Sequence, residues 1–435
     1  MNRREFGLGA AALAATISTP VWAQSGGMSR EKVLHDWYRL VLELVRHTAT
    51  YTPPVASRAF AYLGIIAHEA TAGDIPLAGA SLYRQLPGYA FPPVTAMALD
   101  HAVVLHGAMA HAVNHFFGNT GPTGQRAIKA MDDRMMQALL QGTPMNPEGS
   151  RGWGKAVAQH VIDWSANDGG AVVENMGFPR EFALAEGPGK WVPTNAVRQQ
   201  QLPLLPGWGN NRTFAAPSNV ACALAAPVEY SEDPASGFYA EANEVYETTK
   251  ALTDDQKAIA RFWSDDPMLS PTPPGHWISI AMQLLEAEQA PIQKRAAVMA
   301  GLGIAVADAF ICCWHDKFQV NLLRPITYIR AHIDAKWTPL LNTPPFPEYP
   351  SGHSVQSGAA QVVMDRFFGA DFGFTDETGT ADGLKPRSFT SFKHAADEAG
   401  ISRLYGGIHF RAAIDRGLEQ GRCIGAFAAN LKFEV

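Results

Sequence analysis

The sequence predicts an all-α protein built as two packed helical bundles, and three observations point there. Apolar residues recur at helical spacing over most of the 435-residue chain, polar/apolar alternation of the strand type is scarce, and no repeat of 20–50 residues is present. Composition agrees: 47% apolar and 17% charged residues form an ordinary globular profile, long enough for two domains or one large one.

The chain opens with Asn2-Arg3-Arg4-Glu5-Phe6, continues through a Gly/Ala/Leu stretch from Gly7 to Ile17, and reaches Val21-Trp22-Ala23, a small-residue cleavage pattern. The apolar run lacks the polar face of an amphipathic helix. Residues 1–23 therefore read as a secretory signal, and the paired arginines resemble a twin-arginine signal, which exports folded proteins. The expectation is a protein of the bacterial periplasm or exterior. No other segment offers ~18 uninterrupted apolar residues, the length of a membrane span.

Residues 24–186 read as the N-terminal bundle. Ser29 to Thr48 puts Val33, Trp37, Leu40, Val41, Leu44 and Val45 on one helical stripe. Pro54 can open the next helix, which runs to Ala70. A helix is expected from Val94 to Phe117, stopped by Gly118, with others over 123–141 and 151–167. Residues 187–235 change texture: seven prolines, Trp191 and Trp208 replace periodicity, which marks an ordered connection. Residues 236–435 form the second, catalytic bundle, with helices from Gly237 to Lys250, Thr253 to Trp263, His276 to Ala287 and Ile292 to Trp314. Helical pattern returns after His353 and after His409.

Three clusters in the last third carry the chemistry: Lys317 with Arg324-Pro325, then Pro350-Ser351-Gly352-His353, then Ser402-Arg403 with His409. They supply three cations, a hydroxyl, a glycine amide and two imidazoles, which suits a tetrahedral oxyanion. The formal charge is −6, so these cations are local, and nothing in the net charge suggests a nucleic-acid partner. On one continuous helix Lys317 and Arg324 would fall about 20° apart. Pro325, however, biases Arg324 out of the helical region and toward a turn. Ser351 and the Gly352 amide are expected at the N-terminus of a helix from Ser354 to Phe368, which favours an anion. Gly406-Gly407 breaks any helix between Arg403 and His409, so both side chains can face one point.

In this order the clusters resemble the signature of the superfamily that joins vanadium-dependent haloperoxidases to type-2 phosphatidic-acid-phosphatase (PAP2)-like acid phosphatases. The similarity to bacterial haloperoxidases extends to Pro54–Ala70, Trp191-Val192-Pro193-Thr194, Pro206-Gly207-Trp208-Gly209, Phe262-Trp263, Pro273-Pro274-Gly275-His276-Trp277 and Phe346-Pro347-Glu348-Tyr349. The resemblance implies vanadate as cofactor and hydrogen peroxide and a halide as substrates. It makes Lys317, Arg324, Ser351, Gly352 and Arg403 the groups that hold the vanadate oxygens. It makes His409 the axial vanadium ligand, His353 the acid–base group, and Asp265 or Asp266 the acidic partner of the arginines. Trp314 and Phe346 match aromatic positions of halide-oxidising members and would wall a dry halide pocket.

The same cradle holds phosphate. In that alternative His409 attacks a phosphomonoester to form a phosphohistidine and His353 protonates the leaving group. The phosphatase pattern places Asp four residues after the nucleophilic His, where this chain has Ala413, with Asp415 the nearest acid; the peroxidase is therefore the leading expectation. A non-catalytic exported protein that keeps the anion pocket is the third reading.

Other groups carry less. His111 and His115 have the i,i+4 spacing of a metal pair beside His101 and His106, but the stretch His-Ala-Val-Asn-His lacks the glutamate of a zinc protease. Ser351 lies outside any Gly-x-Ser-x-Gly elbow. Cys222, Cys312, Cys313 and Cys423 show no metal spacing, and adjacent Cys312 and Cys313 read as buried thiols.

Overall fold

Thirteen α-helices carry nearly all the regular structure in the computed structural model, which describes residues 28–433 except 73–80, 91, 94, 96, 172–181, 184 and 195–201. The signal expected at residues 1–23 lies outside the described residues.

Caps set the helix starts. Helix α1 (Arg30–Arg46) begins where the Ser29 side chain accepts the Lys32 amide. Helix α2 (Pro53–Thr71) has proline in its first turn and is buried on almost every side. Helix α3 (His101–Phe116) starts seven residues later than the apolar run from Val94 suggests, because Asp100 caps the amides of Ala102 and Val103. Helices α4 (Gly121–Gln141) and α5 (Pro147–Ser165) follow. Beyond the proline-rich connection come α6 (Gly237–Lys250), α7 (Asp254–Phe262) and α8 (Thr272–Ala287).

Helix α9 (Ile292–Val320) is the axis of the molecule. At 29 residues it is about 44 Å long. It is long and apolar enough to cross a membrane, but its apolar stretch is wholly buried in the fold. It lies backbone to backbone on α2: a Cβ on Gly64 would stand 2.5 Å from Met299 O, and one on Gly303 2.7 Å from Phe60 O. Only glycine allows that approach. One continuous apolar core contains side chains from α1 through α13.

After α9 come α10 (Pro325–His332), α11 (Gly352–Phe368), α12 (Phe392–Tyr405) and α13 (Arg411–Ala429). Between α11 and α12, strands β1 (Phe374–Asp376) and β2 (Arg387–Phe389) pair antiparallel, with Phe374 opposite Phe389. Neither this hairpin nor α10 is marked by the sequence periodicity.

Two tethers hold the described part of the connection to the helices. The buried Asp308 carboxylate on α9 accepts the amides of Phe214, Ala215 and Ala216 at 2.6–2.8 Å. A disulfide joins Cys222 to Cys423 on α13, a bridge the cysteine spacing did not reveal; Cys312 and Cys313 are buried thiols.

Candidate active site

The three sequence clusters meet at one buried point, and local chain breaks bring them there. Lys317 occupies the last full turn of α9, which ends at Asn321 in a left-handed conformation (φ 52°). Arg324 is extended (φ −83°, ψ 154°) and caps α10, with Pro325 at its first position. The helix therefore does not continue from Lys317 to Arg324; the turn expected from Pro325 aims the arginine. Ser351 caps α11, its hydroxyl accepting the Ser354 amide at 3.4 Å. Arg403 stands near the end of α12, Gly407 turns the chain at φ 76°, and His409 follows.

Each cation is buried and partly committed. Arg324 donates from Nε to Phe346 O (2.9 Å) and from Nη1 to Ile408 O (2.8 Å) and His409 Nε2 (3.0 Å). Its Nη2 has no partner among the described residues. Arg403 donates from Nη1 to Trp263 O at 2.6 Å, while its Nε has none. Burial brings both guanidinium pKa values down, Arg324 to about 9 and Arg403 to about 10. Lys317 Nζ donates to Pro347 O and Glu348 O at 3.0 Å and to Pro350 O. Burial pulls its pKa to about 7, whereas three carbonyls on one nitrogen are met together only by an ammonium. Lys317 must release a carbonyl to reach an anion; Arg324 and Arg403 need not.

His409 is fixed on both sides of its ring. The guanidinium can only donate, so Nε2 accepts from Arg324 and the ring proton sits on Nδ1, which donates to Glu348 Oε1 at 2.8 Å. Burial, with Arg324, Lys317, Arg403 and His353 around it, holds His409 well below the usual histidine range and keeps it neutral. Glu348 is fully buried, and burial raises its carboxyl to about 8 against the pull of Arg324 and Lys317. Its Oε1 also accepts the Phe410 amide at 2.9 Å. Ala413 contributes no side chain to this function; its carbonyl accepts the Ser351 amide. The group that orients His409 is Glu348, two residues ahead of Pro350, and not a residue at position 413.

His353 sits in the first turn of α11 with Nε2 3.7 Å from Asp265 Oδ2. Burial first and Arg403 next lower its pKa to about 4. The resemblance makes Asp265 or Asp266 the acidic partner of the arginines, but Asp265 hydrogen-bonds no arginine among the described residues. Its partner is His276, at 2.9 Å. Arg403 attracts both Asp265 and Asp266 electrostatically, but its hydrogen bond goes to a backbone carbonyl.

Trp314 and Phe346 pack at 5.0 Å, and Phe346 covers Lys317 (5.2 Å) and Arg324 (5.0 Å). The Trp314 indole N–H is spent on Leu204 O at 3.0 Å, so this ring is wall, not donor. His111 bonds Gln159 at 2.7 Å.

These residues fit a tetrahedral oxyanion such as vanadate. Two buried guanidinium N–H groups lack acceptors, the first-turn amides of α11 have no helical carbonyl to bond, and a neutral imidazole nitrogen stands among the cations.

The site's surroundings match known proteins. A family model for the VCPO second helical-bundle domain matches residues 297–434. Vanadium chloroperoxidase of Curvularia inaequalis is 32% identical over 93 residues, 18% of this chain and 15% of that enzyme's length. The structure described as the first bacterial vanadium-dependent iodoperoxidase superposes with a TM-score of 0.83 at 35% identity, covering 92% of this chain and 96% of that one. A holo-type bacterial vanadium-dependent chloroperoxidase shares the fold at 16% identity, with a TM-score of 0.69 over 87% of this chain and 92% of its own.

Proposed function

The chain belongs to the vanadium-dependent haloperoxidase family, and from that premise we propose that it oxidises a halide with hydrogen peroxide to hypohalite, using vanadate. The observation that carries this reading is the pair of orphaned donors, Arg324 Nη2 and Arg403 Nε, beside neutral His409. Arg324, Arg403, Lys317, Ser351 and Gly352 would hold the oxygens, and His409 Nε2 would be the nitrogen that binds vanadium. Bound vanadate supplies a Lewis acid that polarises peroxide for halide attack without changing its own oxidation state. The protein's part is placement and proton movement. Glu348 keeps the His409 proton on Nδ1, so Nε2 carries the lone pair, which Arg324 Nη1 would have to release for His409 to become a ligand. His353, neutral above about pH 4, accepts a proton from incoming peroxide and returns it to the leaving oxygen. Phe346 and Trp314 exclude water beside the cations, which strengthens their hold on an anion.

The 35%-identical relative is described as an iodoperoxidase, which puts iodide first among the halides to assay. We place the protein outside the cytoplasm, on the strength of residues 1–23, and assign the catalytic bundle to residues 236–435, from which every site side chain comes.

One observation favours the second reading. Glu348 and His409 form a nucleophile–orienter pair, so the argument from Ala413 against phosphohistidine chemistry is weakened. Purified protein with and without vanadate is to be assayed for peroxide-dependent halide oxidation and for phosphomonoester hydrolysis. Hydrolysis without oxidation of any halide sinks the peroxidase; failure in both assays leaves a non-catalytic anion binder.

A further inference from the structure

Behind His353 lies a row of charges that the proposed function leaves unused. His276, in the first turn of α8, faces Asp265 Oδ1 through Nδ1 and Asp376 Oδ2 through Nε2, both at 2.9 Å. Two carboxylate acceptors require a hydrogen on each nitrogen, so the ring is an imidazolium. Burial opposes that charge, but the two carboxylates raise the His276 pKa to about 10. Asp376, on β1, is fixed in turn: its Oδ1 accepts the Thr378 amide (2.9 Å) and hydroxyl (2.7 Å). The rings of Trp263 (4.7 Å) and Phe262 (5.5 Å) close over His276.

The other end of the row is open. Asp265 Oδ2 and His353 Nε2 are both buried and both lack a hydrogen bond among the described residues, yet they face each other at 3.7 Å. One is an acceptor and the other a potential donor. A small rotation closes the pair. The backbone is committed to this arrangement: Asp265 (φ 49°), Met268 (φ 70°) and Thr272 (φ 64°) are all left-handed in one short loop, where only glycine is at ease. Buried charge is expensive to keep unless its geometry is used.

We propose that His276 and Asp376 are positioning residues for His353: the imidazolium locks the Asp265 carboxylate, and that carboxylate holds the His353 proton on Nε2. His353 Nδ1 is then the nitrogen free to take a proton on the anion's side. The groups that act on His353 are Arg403 from α12, Asp265 from the loop, and His276 from α8. Arg403 and His276 disfavour its protonated form and Asp265 favours it. An oxyanion that offsets Arg403 leaves Asp265 as the deciding neighbour.

The turnover arm of the test rests on the peroxidase reading; the tautomer arm does not. Histidine-¹⁵N-labelled full chain without vanadate is compared with Asp376→Asn and His276→Gln by ring-nitrogen NMR, with His353 assigned from His353→Gln. The expected result is a His353 Nε2–H tautomer in the wild type and a shift toward Nδ1–H in both variants. Vanadate dissociation constants, measured by calorimetry, should stay within about threefold. The kcat for halide oxidation should fall about tenfold or more, with the KM for peroxide within about threefold, as for other supporting residues. Asp376→Asn keeps the shape of its side chain and serves where His276→Gln does not fold. An unchanged His353 tautomer in Asp376→Asn overturns the inference, as does a loss of vanadate affinity in step with turnover. If the wild type oxidises no halide yet shows the tautomer dependence, the peroxidase reading fails and this inference stands.

Discussion

Glu348 Oε1 lies 2.8 Å from His409 Nδ1, across 61 residues of sequence, and the same oxygen accepts the Phe410 amide. One carboxylate thus fixes both the ring of His409 and the backbone that enters α13. Because Arg324 donates to the opposite nitrogen, the ring is held in one tautomer with its Nε2 lone pair among the cations.

Glu348→Ala should therefore weaken vanadate binding about 10- to 100-fold, the range seen when an outer partner of a ligating histidine is lost. Glu348→Gln keeps an oxygen that can accept from Nδ1–H and should retain most of the affinity. Calorimetric titration of both variants checks this; equal losses would mean that charge, not orientation, matters.

His409→Ala should abolish vanadate binding. His353→Ala should bind within a few-fold of wild type and lose turnover by about 10²- to 10⁴-fold, as expected for removal of an acid–base group. Equal vanadate affinity in wild type and His409→Ala refutes the ligand assignment.

The His353 contribution to stability without ligand should be lost as the solution is acidified, while Glu348, raised to about 8, contributes in the opposite direction. The folded protein keeps His353 neutral down to about pH 4, whereas the unfolded chain protonates it near 6.5. Between those values the unfolded state binds the extra proton, so this contribution rises with pH and is lost as pH falls from 6.5 toward 4. The difference of about 2.5 units bounds the effect at about 3 kcal/mol, and His409 shifts in the same direction. The change of urea midpoint with rising pH across this range should be more positive in wild type than in His353→Gln; identical slopes contradict the assignment.

What the sequence made legible was local. Pro325 announced the extended Arg324, Ser351 its helix cap, and Gly406-Gly407 the turn that lets Arg403 and His409 converge. Hidden features depended on distant partners: Glu348 with His409, His276 with Asp376 across 100 residues, and Cys222 with Cys423 across 201. Nothing in a single sequence separates a buried carboxylate such as Asp376 from a solvated one. Helix α9 outruns Trp314 because His315, Asp316 and Lys317 end the apolar pattern before the backbone turns at Asn321. Polar residues entering a site look, by periodicity alone, like the end of an element.

Reducing or deleting the Cys222–Cys423 bridge should cost about 2–4 kcal/mol, the usual worth of a bridge closing a long loop. It anchors the connection to α13 without touching the cations. Thermal denaturation with and without reductant should show the loss, and anion affinity of the folded Cys222→Ser/Cys423→Ser protein should stay within about threefold.

Anion affinity should also depend on Lys317. Burial and Arg324 lower its pKa from 10.5 to about 7, so part of the population is a neutral amine in mildly alkaline solution. A bound anion favours the ammonium, which makes binding above about pH 7 take up a proton. Sulfate is the suitable probe, since it stays a dianion throughout while phosphate and vanadate titrate. Its affinity should fall between pH 7 and 9 by up to about tenfold per unit. Ionisation of Glu348, raised to about 8, acts in the same direction by adding a negative charge. The fall should therefore persist in Glu348→Gln, shrink in Lys317→Met to the part that Glu348 contributes, and vanish when both are replaced. Calorimetry in buffers of different ionisation enthalpy measures the proton uptake directly. A flat wild-type affinity with no uptake would mean that the carbonyls of Pro347, Glu348 and Pro350 keep the proton on Lys317 throughout.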